Sequence, residues 1–484
     1  MGTINTAFSV IAQALDADQA ALNVVANNVA NANTQGYTTE NPNFQENQPL
    51  EIGGVSFGDG VTETGATSVR DRVLNERLDQ QQQVASSTGS RLTALNTVQA
   101  LFTPDSGSSS ATAGDISSDL TGFFNSFSSL EANPTDESLR EEVLSSASTL
   151  AADVSNAAAS LNSQRSALDQ EASGVTSQVN SLTSAIAQLD QQIQSTSPDA
   201  DAGTLEDQRQ QDLSQLSQLI GVNQITTENN GLSVTTTSGQ PLVSEGQSFQ
   251  LTTGSVDGVT HFFVGGTDIT GQLTSGGGEL GGYLTARDHD IPSALSSLDQ
   301  LTYNVSTQVN ALNNAGTDLD GNTGAVVPPG TVASTLDIFS APPGLAAGSA
   351  TGSAVAMSVV MTNPNQIAAA GAGLGTGDNS NASAIAALAN QSIVNDETPT
   401  NYYANFVSQL GATVSNVQTE NTAANASVTQ LQTQSNALSS VNLNDEASAM
   451  STFERSYQAA SQVFTILNTV MASALNLGEQ STVS

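Results

Sequence analysis

The chain has 484 residues, room for roughly two to four domains and a substantial core. It carries 46 acidic residues against nine basic ones, every basic residue being arginine, and the formal charge of −37 argues against nucleic acid or an anionic membrane as a partner. There is no cysteine, which excludes disulfides, thiol catalysis and cysteine-held metals, and an aromatic share of 4% without tryptophan predicts thin, alanine-rich cores.

In chain order, Ile4, Phe8, Ile11, Leu15, Asp18, Leu22, Val25, Val29 and Ala32 recur at alternating steps of four and three. That spacing is an a/d seam down one helix, with Asp18 as its only polar member. It predicts a helix over 4–32, roughly 40 Å long at ~1.5 Å per residue. An asparagine cluster follows, holding Asn27, Asn28, Asn31, Asn33 and Thr34 and closing on Gly36-Tyr37. Asparagine bonds back to the main chain and glycine suits the residue just past a helix end, so the run reads as a helix terminus. The N-terminus has neither a basic region nor a continuous apolar run, so no ordinary signal peptide is expected. No stretch is apolar enough to predict a transmembrane helix.

Pro42, Pro49, Gly53-Gly54, Gly58 and Gly60 mark an irregular or hairpin-like connector to about Thr67. Periodicity returns over 74–102 and breaks at Pro104 and the Ser/Gly/Ala-rich run 105–114. Leu120, Phe123, Phe124, Phe127 and Leu130 then share one helical face, a packing key for a bundle. From a cap at Thr135-Asp136-Glu137 a helical pattern runs to about Ser195, on the order of 90 Å, with Ser173-Gly174 as its weakest point. Ser197-Pro198 turns the chain into a shorter helix ending near Ile220.

Residues 222–279 change character. Short β-prone runs alternate with Asn229-Asn230-Gly231, Ser238-Gly239, Asp257-Gly258 and Gly265-Gly266, all hairpin signals. The pattern predicts an inserted β domain that closes on its own hairpins. Helix resumes over 291–314, gives way to a Gly/Pro-rich region near 317–363 that includes Pro328-Pro329 and Pro342-Pro343, and returns over 382–394 and 399–438. The stripe of 399–438 is Leu410, Val414, Val417, Asn421, Ala424, Val428, Leu431, Ser435 and Leu438. The last seam is Met450, Phe453, Tyr457, Ala460, Phe464, Leu467, Met471 and Ala474, without a polar member. The two terminal seams match, so the ends are expected to pair with each other or with neighbouring subunits. With no partner guaranteed inside the chain, residues 1–35 and 446–484 are expected to be mobile in the isolated protein.

The expected fold is mainly α with an inserted β domain. Residues 1–40 plus 441–484 form a terminal coiled-coil core, 41–221 plus 280–440 a long helical-bundle rod, and 222–279 a small β-rich outer domain. No catalytic, cofactor-binding or metal site is expected. Asp288-His289-Asp290 reads as a helix cap in preference to a metal site. Asp318-Leu319-Asp320-Gly321-Asn322 starts like a calcium loop, but the twelfth position is Pro329, so an Asx-type turn accounts for it better. A secreted hydrolase would need an apolar pocket with converging acids, and an adhesin or stalk a cleavable signal and an anchor.

The run from Ala20 through Asn27-Asn28-Val29-Ala30-Asn31-Ala32-Asn33-Thr34-Gln35-Gly36-Tyr37 resembles the N-terminal signature of bacterial flagellar rod, hook and hook-associated proteins. Ser440–Ala447 and Phe453-Glu454-Arg455-Ser456-Tyr457-Gln458-Ala459-Ala460-Ser461 are similar to the C-terminal signature of the same group. The long helical middle, with Gly281-Gly282-Tyr283-Leu284-Thr285-Ala286-Arg287-Asp288, Asn310–Gly321 and Asp378-Asn379-Ser380-Asn381-Ala382, is most similar to the hook–filament junction members. Family members often carry a basic residue after the Gly-Tyr, whereas this chain reads Thr38-Thr39-Glu40. The resemblance implies a secreted structural protein at the hook–filament junction, leaving by the flagellar type III route and self-assembling into a ring. It implies three further partners: the hook protein, a second junction protein, and an export chaperone on the C-terminal helix. A secreted adhesin or stalk is the alternative.

Overall fold

The computed structural model describes residues 2–52, 54–102, 116–196, 201–324 and 336–480. The breaks expected at 105–114, Ser197-Pro198 and Pro328-Pro329 lie outside these residues. Helix α1 (Gly2–Asn31) opens the chain, followed by nested hairpins: β1 (Glu40–Glu46) pairs antiparallel with β4 (Val61–Ser68), and between them β2 (Leu50–Ile52) pairs with β3 (Val55–Phe57). The hairpin-like connector is thus two ribbons, and its outer one shifts register between Pro42 and Phe44.

Helices α2 (Arg72–Ala100), α3 (Ile116–Ala132), α4 (Glu137–Thr196) and α5 (Thr204–Leu219) follow. Asp136 caps α4 by accepting from the Ser138 amide at 2.9 Å. The helix runs its full 60 residues, straight through Ser173-Gly174. Its two halves serve two different cores. Val143, Leu150, Leu161 and Leu168 join Phe123, Phe127 and Phe339 in the first; Ala172, Val175, Val179 and Ile186 belong to the second.

The second core corrects one expectation. Strands β5 (Val222–Thr226), β6 (Leu232–Thr236), β7 (Pro241–Ser244) and β8 (Gln247–Ser248) form one antiparallel sheet. A second sheet consists of β9 (Leu251–Val256), β10 (Val259–Val264) and β11 (Thr267–Asp268). The region does not close on itself. Val234, Leu242, Val243 and Phe262 share one core with Val175, Val179 and Ile186 of α4 and with Leu213 and Leu216 of α5. A two- to four-stranded antiparallel sheet has one face to bury, and here the far half of α4 covers it. Removing 222–279 would therefore strip an apolar face from the rod.

After α6 (Thr270–Leu273) comes α7 (Gly278–Thr285), whose backbone lies hard against α2. A Cβ at Gly282 would collide with the Ser90 hydroxyl and the Ser87 carbonyl, so only glycine allows this approach. A π-helical turn over Ala286–Asp290 joins α7 to α8 (Ile291–Ala315) without a break. This overturns the cap expected at Asp288-His289-Asp290, because a continuous helix has no free amides there and Asp290 makes no capping bond. Arginines take both acids instead. Asp290 receives Arg91 at 2.8 and 2.9 Å, and Asp288 receives the buried Arg287, which also reaches Asp169 of α4 and the Thr260 carbonyl of β10. At Asp318 the chain turns back, with Asn322 N donating to Asp318 Oδ1 at 2.7 Å and Gly321 N to the Asp318 carbonyl at 3.2 Å.

Short helices α9 (Ser353–Ala356) and α10 (Ser380–Ala387) precede α11 (Pro399–Ser439), which packs along α2, and α12 (Leu443–Gln480), which packs along α1. On α11 the stripe is buried at Leu410, Val414, Val417 and Ala424, but Leu438 is exposed. The two terminal seams pair with each other within the chain, the first of the two pairings expected of them.

The terminal helix pair and its joint to the rod

Phe8 meets Phe464 edge-on with ring centroids 5.1 Å apart, and Asn28 reaches Glu446 at 3.1 Å, so α1 and α12 run antiparallel. Phe8, Ile11, Leu15 and Leu22 of the first seam are half-buried and Val25 is buried. Met450, Phe453, Phe464, Leu467 and Met471 of the second are half-buried, and the side chain of Ile4 lies outside the described residues. Phe453 also faces Phe44 of β1, centroids 6.4 Å apart.

Two seam positions are placed differently. Val29 is 39% exposed and Tyr457 38% exposed, whereas Asn28 is 1% exposed. The fully buried line of α1 is Ala17, Ala21, Val25 and Asn28. A straight helix drifts ~20° per heptad against a strict 3.5-residue repeat, so over four turns the contact line slides off the a/d positions. The β1–β4 ribbon, packed on another side of α1, completes the shift.

Asn28 uses its full bonding capacity. Its Oδ1 accepts from Tyr37 OH at 2.8 Å and Glu40 N at 3.0 Å; its Nδ2 donates to Glu40 O at 2.8 Å and Glu446 Oε1 at 3.1 Å. Both lone pairs and both hydrogens are spent. One side chain thus joins α1, the signature loop, β1 and α12. Asn31 holds the loop from below by donating to Asn27 O and Oδ1 at 3.0 and 2.8 Å, and Thr34 donates to Asn31 Oδ1 at 3.1 Å. Gly36 takes φ +81°, the left-handed turn that releases Tyr37 toward Asn28, while Asn33 stays exposed. Burial, then the carboxylates of Glu40, Asp207 and Glu446, push the Tyr37 hydroxyl well above the ordinary phenol range, so it remains a donor.

The next three residues fasten this knot to the rod. Thr38 donates through N and Oγ1 to Asp207 of α5 at 2.8 and 2.7 Å, and Thr39 N donates to the Ser439 carbonyl at the end of α11 at 2.9 Å. Asp207 in turn pairs with Arg70 Nη2 at 2.7 Å, and Arg70 also meets the buried Glu206, which Arg72 approaches at 3.1 Å. Burial, then Asp201 and Asp207, push the Glu40 carboxyl upward, against Arg70, which draws it down. Around the joint opens a cleft of about 820 Å³, lined by the loop, α2, α5 and the end of α11 and rich in glutamine and asparagine amides. Asp79, 1% exposed, lies in its wall. Burial pushes its carboxyl up to about 6, although Gln224 and Gln210 donate to its Oδ2 at 2.7 and 2.9 Å. Among the described residues its Oδ1 has no hydrogen-bond partner. Sequence reading did not single out Asp79 or Arg70: Asp79 is an acid beside the apolar face of α2, and Arg70 lies in the short connector between β4 and α2.

Among the described residues no cluster of side chains could hold a metal, and no helix is long and apolar enough to cross a membrane. The arrangement is one of ties between elements.

Residues 105–327 match the family model of the flagellar hook-associated protein FlgK helical domain, and residues 8–38 match that of the flagella basal body rod protein. Flagellar hook-associated protein 1 of Salmonella typhimurium is 27% identical over 322 residues, 64% of this chain and 57% of that protein. Over that match the chain spans little more than half the length of this relative. The Bacillus subtilis protein of the same name is 26% identical over 515 residues, 96% of each chain. A solved structure of the flagellar hook junction protein FlgK from Burkholderia pseudomallei aligns at a TM-score of 0.62 with 21% identity, over 74% of this chain and 99% of that one, a likeness of fold. The N-terminal match covers the Asn28–Tyr37 knot, the helical-domain match covers the long α4 and the β sheets packed on it, and the Bacillus match runs nearly end to end. By these likenesses the chain matches the FlgK helical domain over 105–327 and is similar, nearly end to end, to flagellar hook-associated protein 1.

Proposed function

We propose that this chain is a structural part of the bacterial flagellum that forms a ring layer between hook and filament. Residues 1–40 plus 441–484 act as its axial core, 41–221 plus 280–440 as its helical rod, and 222–279 as an outer β module. The observation that carries this reading is the one-sided burial of α12. Phe464 and Leu467 turn to α1, while Val463, Ile466 and Val470 on the adjoining face stay open in the single chain. Such a stripe is an unfinished apolar surface, and burying it against neighbours would drive assembly. The hook protein and a second junction protein are the partners at the two ends of the layer. An export chaperone shields α12 during type III secretion. The relatives' names favour this over the adhesin or stalk reading.

Leu467→Asp tests it. A carboxylate in the closed seam costs on the order of several kcal/mol where it is buried. In a deletion strain the variant is expected to be exported with its rod folded, but to be missing from the hook tip and to leave cells without filaments. Normal incorporation would remove the terminal pair from the mechanism.

A further inference from the structure

The β2–β3 ribbon has an apolar face that nothing among the described residues covers. Leu50 pairs with Phe57, and Val55 lies two residues before Phe57, so by the two-residue alternation of strands these three positions share one face, while Glu51 and Ser56 take the other. Leu50, Val55 and Phe57 are 43% to 56% exposed. A two-stranded ribbon of this length is not stable on its own apolar face. The second open apolar surface is the outer stripe of α12, where Val463, Ile466 and Val470 are 44% to 60% exposed.

The two surfaces lie at one height on the terminal pair. The ribbon leaves the chain beside the first half of α1: Asn47 Nδ2 donates to Gln13 Oε1 at 2.9 Å, and Gly60 packs on Val10 and Gln13. Phe8, one turn earlier, stands against Phe464 of α12. Charge says what can cover them. A chain of −37 repels its own copies, yet no charged residue occurs between Arg455 and Glu479, and the apolar ribbon face carries none. These are surfaces where two copies can meet without bringing like charges together. The two patches differ from each other, so their contact is head-to-tail, the kind that closes a ring.

We propose that the β2–β3 ribbon of one copy lies across the Val463–Ile466–Val470 stripe of the next. This rests on the junction reading above and names the lateral contact of that ring. The occupant is a second copy of this chain, docked at equal height.

The absence of cysteine makes the test direct. Val55→Cys and Ile466→Cys are combined in one chain, expressed in a flagellated deletion strain, and the isolated flagella are oxidised. A ladder of linked copies that collapses on reduction is expected, while either cysteine alone gives no more than dimers. The pair Phe57→Cys with Val463→Cys repeats the test at a neighbouring position. Incorporated chain that gives no ladder with either pair would overturn the contact and leave the junction reading standing. A fast-migrating monomer closed on itself, or a link to a protein of another mass, would overturn it as well. Absence of the unmutated chain from flagella would overturn the junction reading and this contact with it.

Discussion

The rod and the terminal helix pair use the same small apolar vocabulary but bury it to different degrees. In the rod, Phe123 is enclosed by Phe124, Phe127 and Phe339, ring centroids 5.2 to 5.4 Å away, and α4 is covered by α3 and α8 along one half and by the sheets and α5 along the other. In the terminal pair, α12 touches α1 along one line and β1 at Phe453, and its described residues beyond these contacts are largely open to solvent. A core closed on all sides can be completed by its own chain. A pair closed on one side keeps an apolar surface whose burial has to come from other molecules.

The largest effect should come from the closed side. Phe123→Ala empties a sealed aromatic cluster and is expected to destabilise the rod by about 3–5 kcal/mol, read as a shift of the denaturation midpoint. A loss below about 1 kcal/mol would show that the cluster is loosely packed and the contrast overstated. Asp79→Asn sharpens the picture at the joint, and its sign is opposite. The folded carboxyl titrates near 6 and an unfolded one near 3.9, so the folded state holds the extra proton between these values. Stability is therefore lost as pH rises from about 4 to 6, by roughly 2–3 kcal/mol, and is flat above. The asparagine variant should match the parent near pH 4 and exceed it by that amount above pH 6. Equal slopes across the window would mean that Asp79 is solvated.

Asn28→Ala leaves Tyr37 and Glu446 without the partner they share, and should cost about 1–3 kcal/mol. Because the knot belongs to the terminal pair, amide exchange should quicken in α1 and α12 while the rod stays protected; equal acceleration in α4 would erase the distinction. The smallest effect is expected at the neighbouring residue. Val29→Ser sits on the open face of α1 and should change stability by no more than about 0.5 kcal/mol. A large loss there would restore the strict a/d seam in place of the shifted one.

Much of the fold is legible along the chain because periodicity is a local property. The seven-residue seams announced α1 and α12, the Asn-Gly and Asp-Gly pairs announced the hairpins, and Asp136 marked the start of α4. The β region was misread as self-sufficient because an alternating strand pattern shows that one face is buried without showing what buries it. The metal-or-cap question at Asp288-His289-Asp290 had a third answer, since Arg91 arrives from α2 for Asp290 and the adjacent Arg287 takes Asp288. The seam spacing did not foresee that Val29 and Tyr457 lie off the contact line between α1 and α12, where helix drift and a second partner shift it.

By itself, then, the sequence determined the lengths and apolar faces of the long helices, the uncharged stretch between Arg455 and Glu479 of the last one, and the family motifs at both ends. These follow from residue spacing and composition, which act over a turn or a strand pair. Only the tertiary structure decided that Asn28 meets Glu446 across 418 positions, that Arg70 answers Asp207 and Glu206, and that the far half of α4 serves as the floor of the β sheets. A side chain's hydrogen bonds depend on which elements fold beside it, and no local pattern encodes that neighbour.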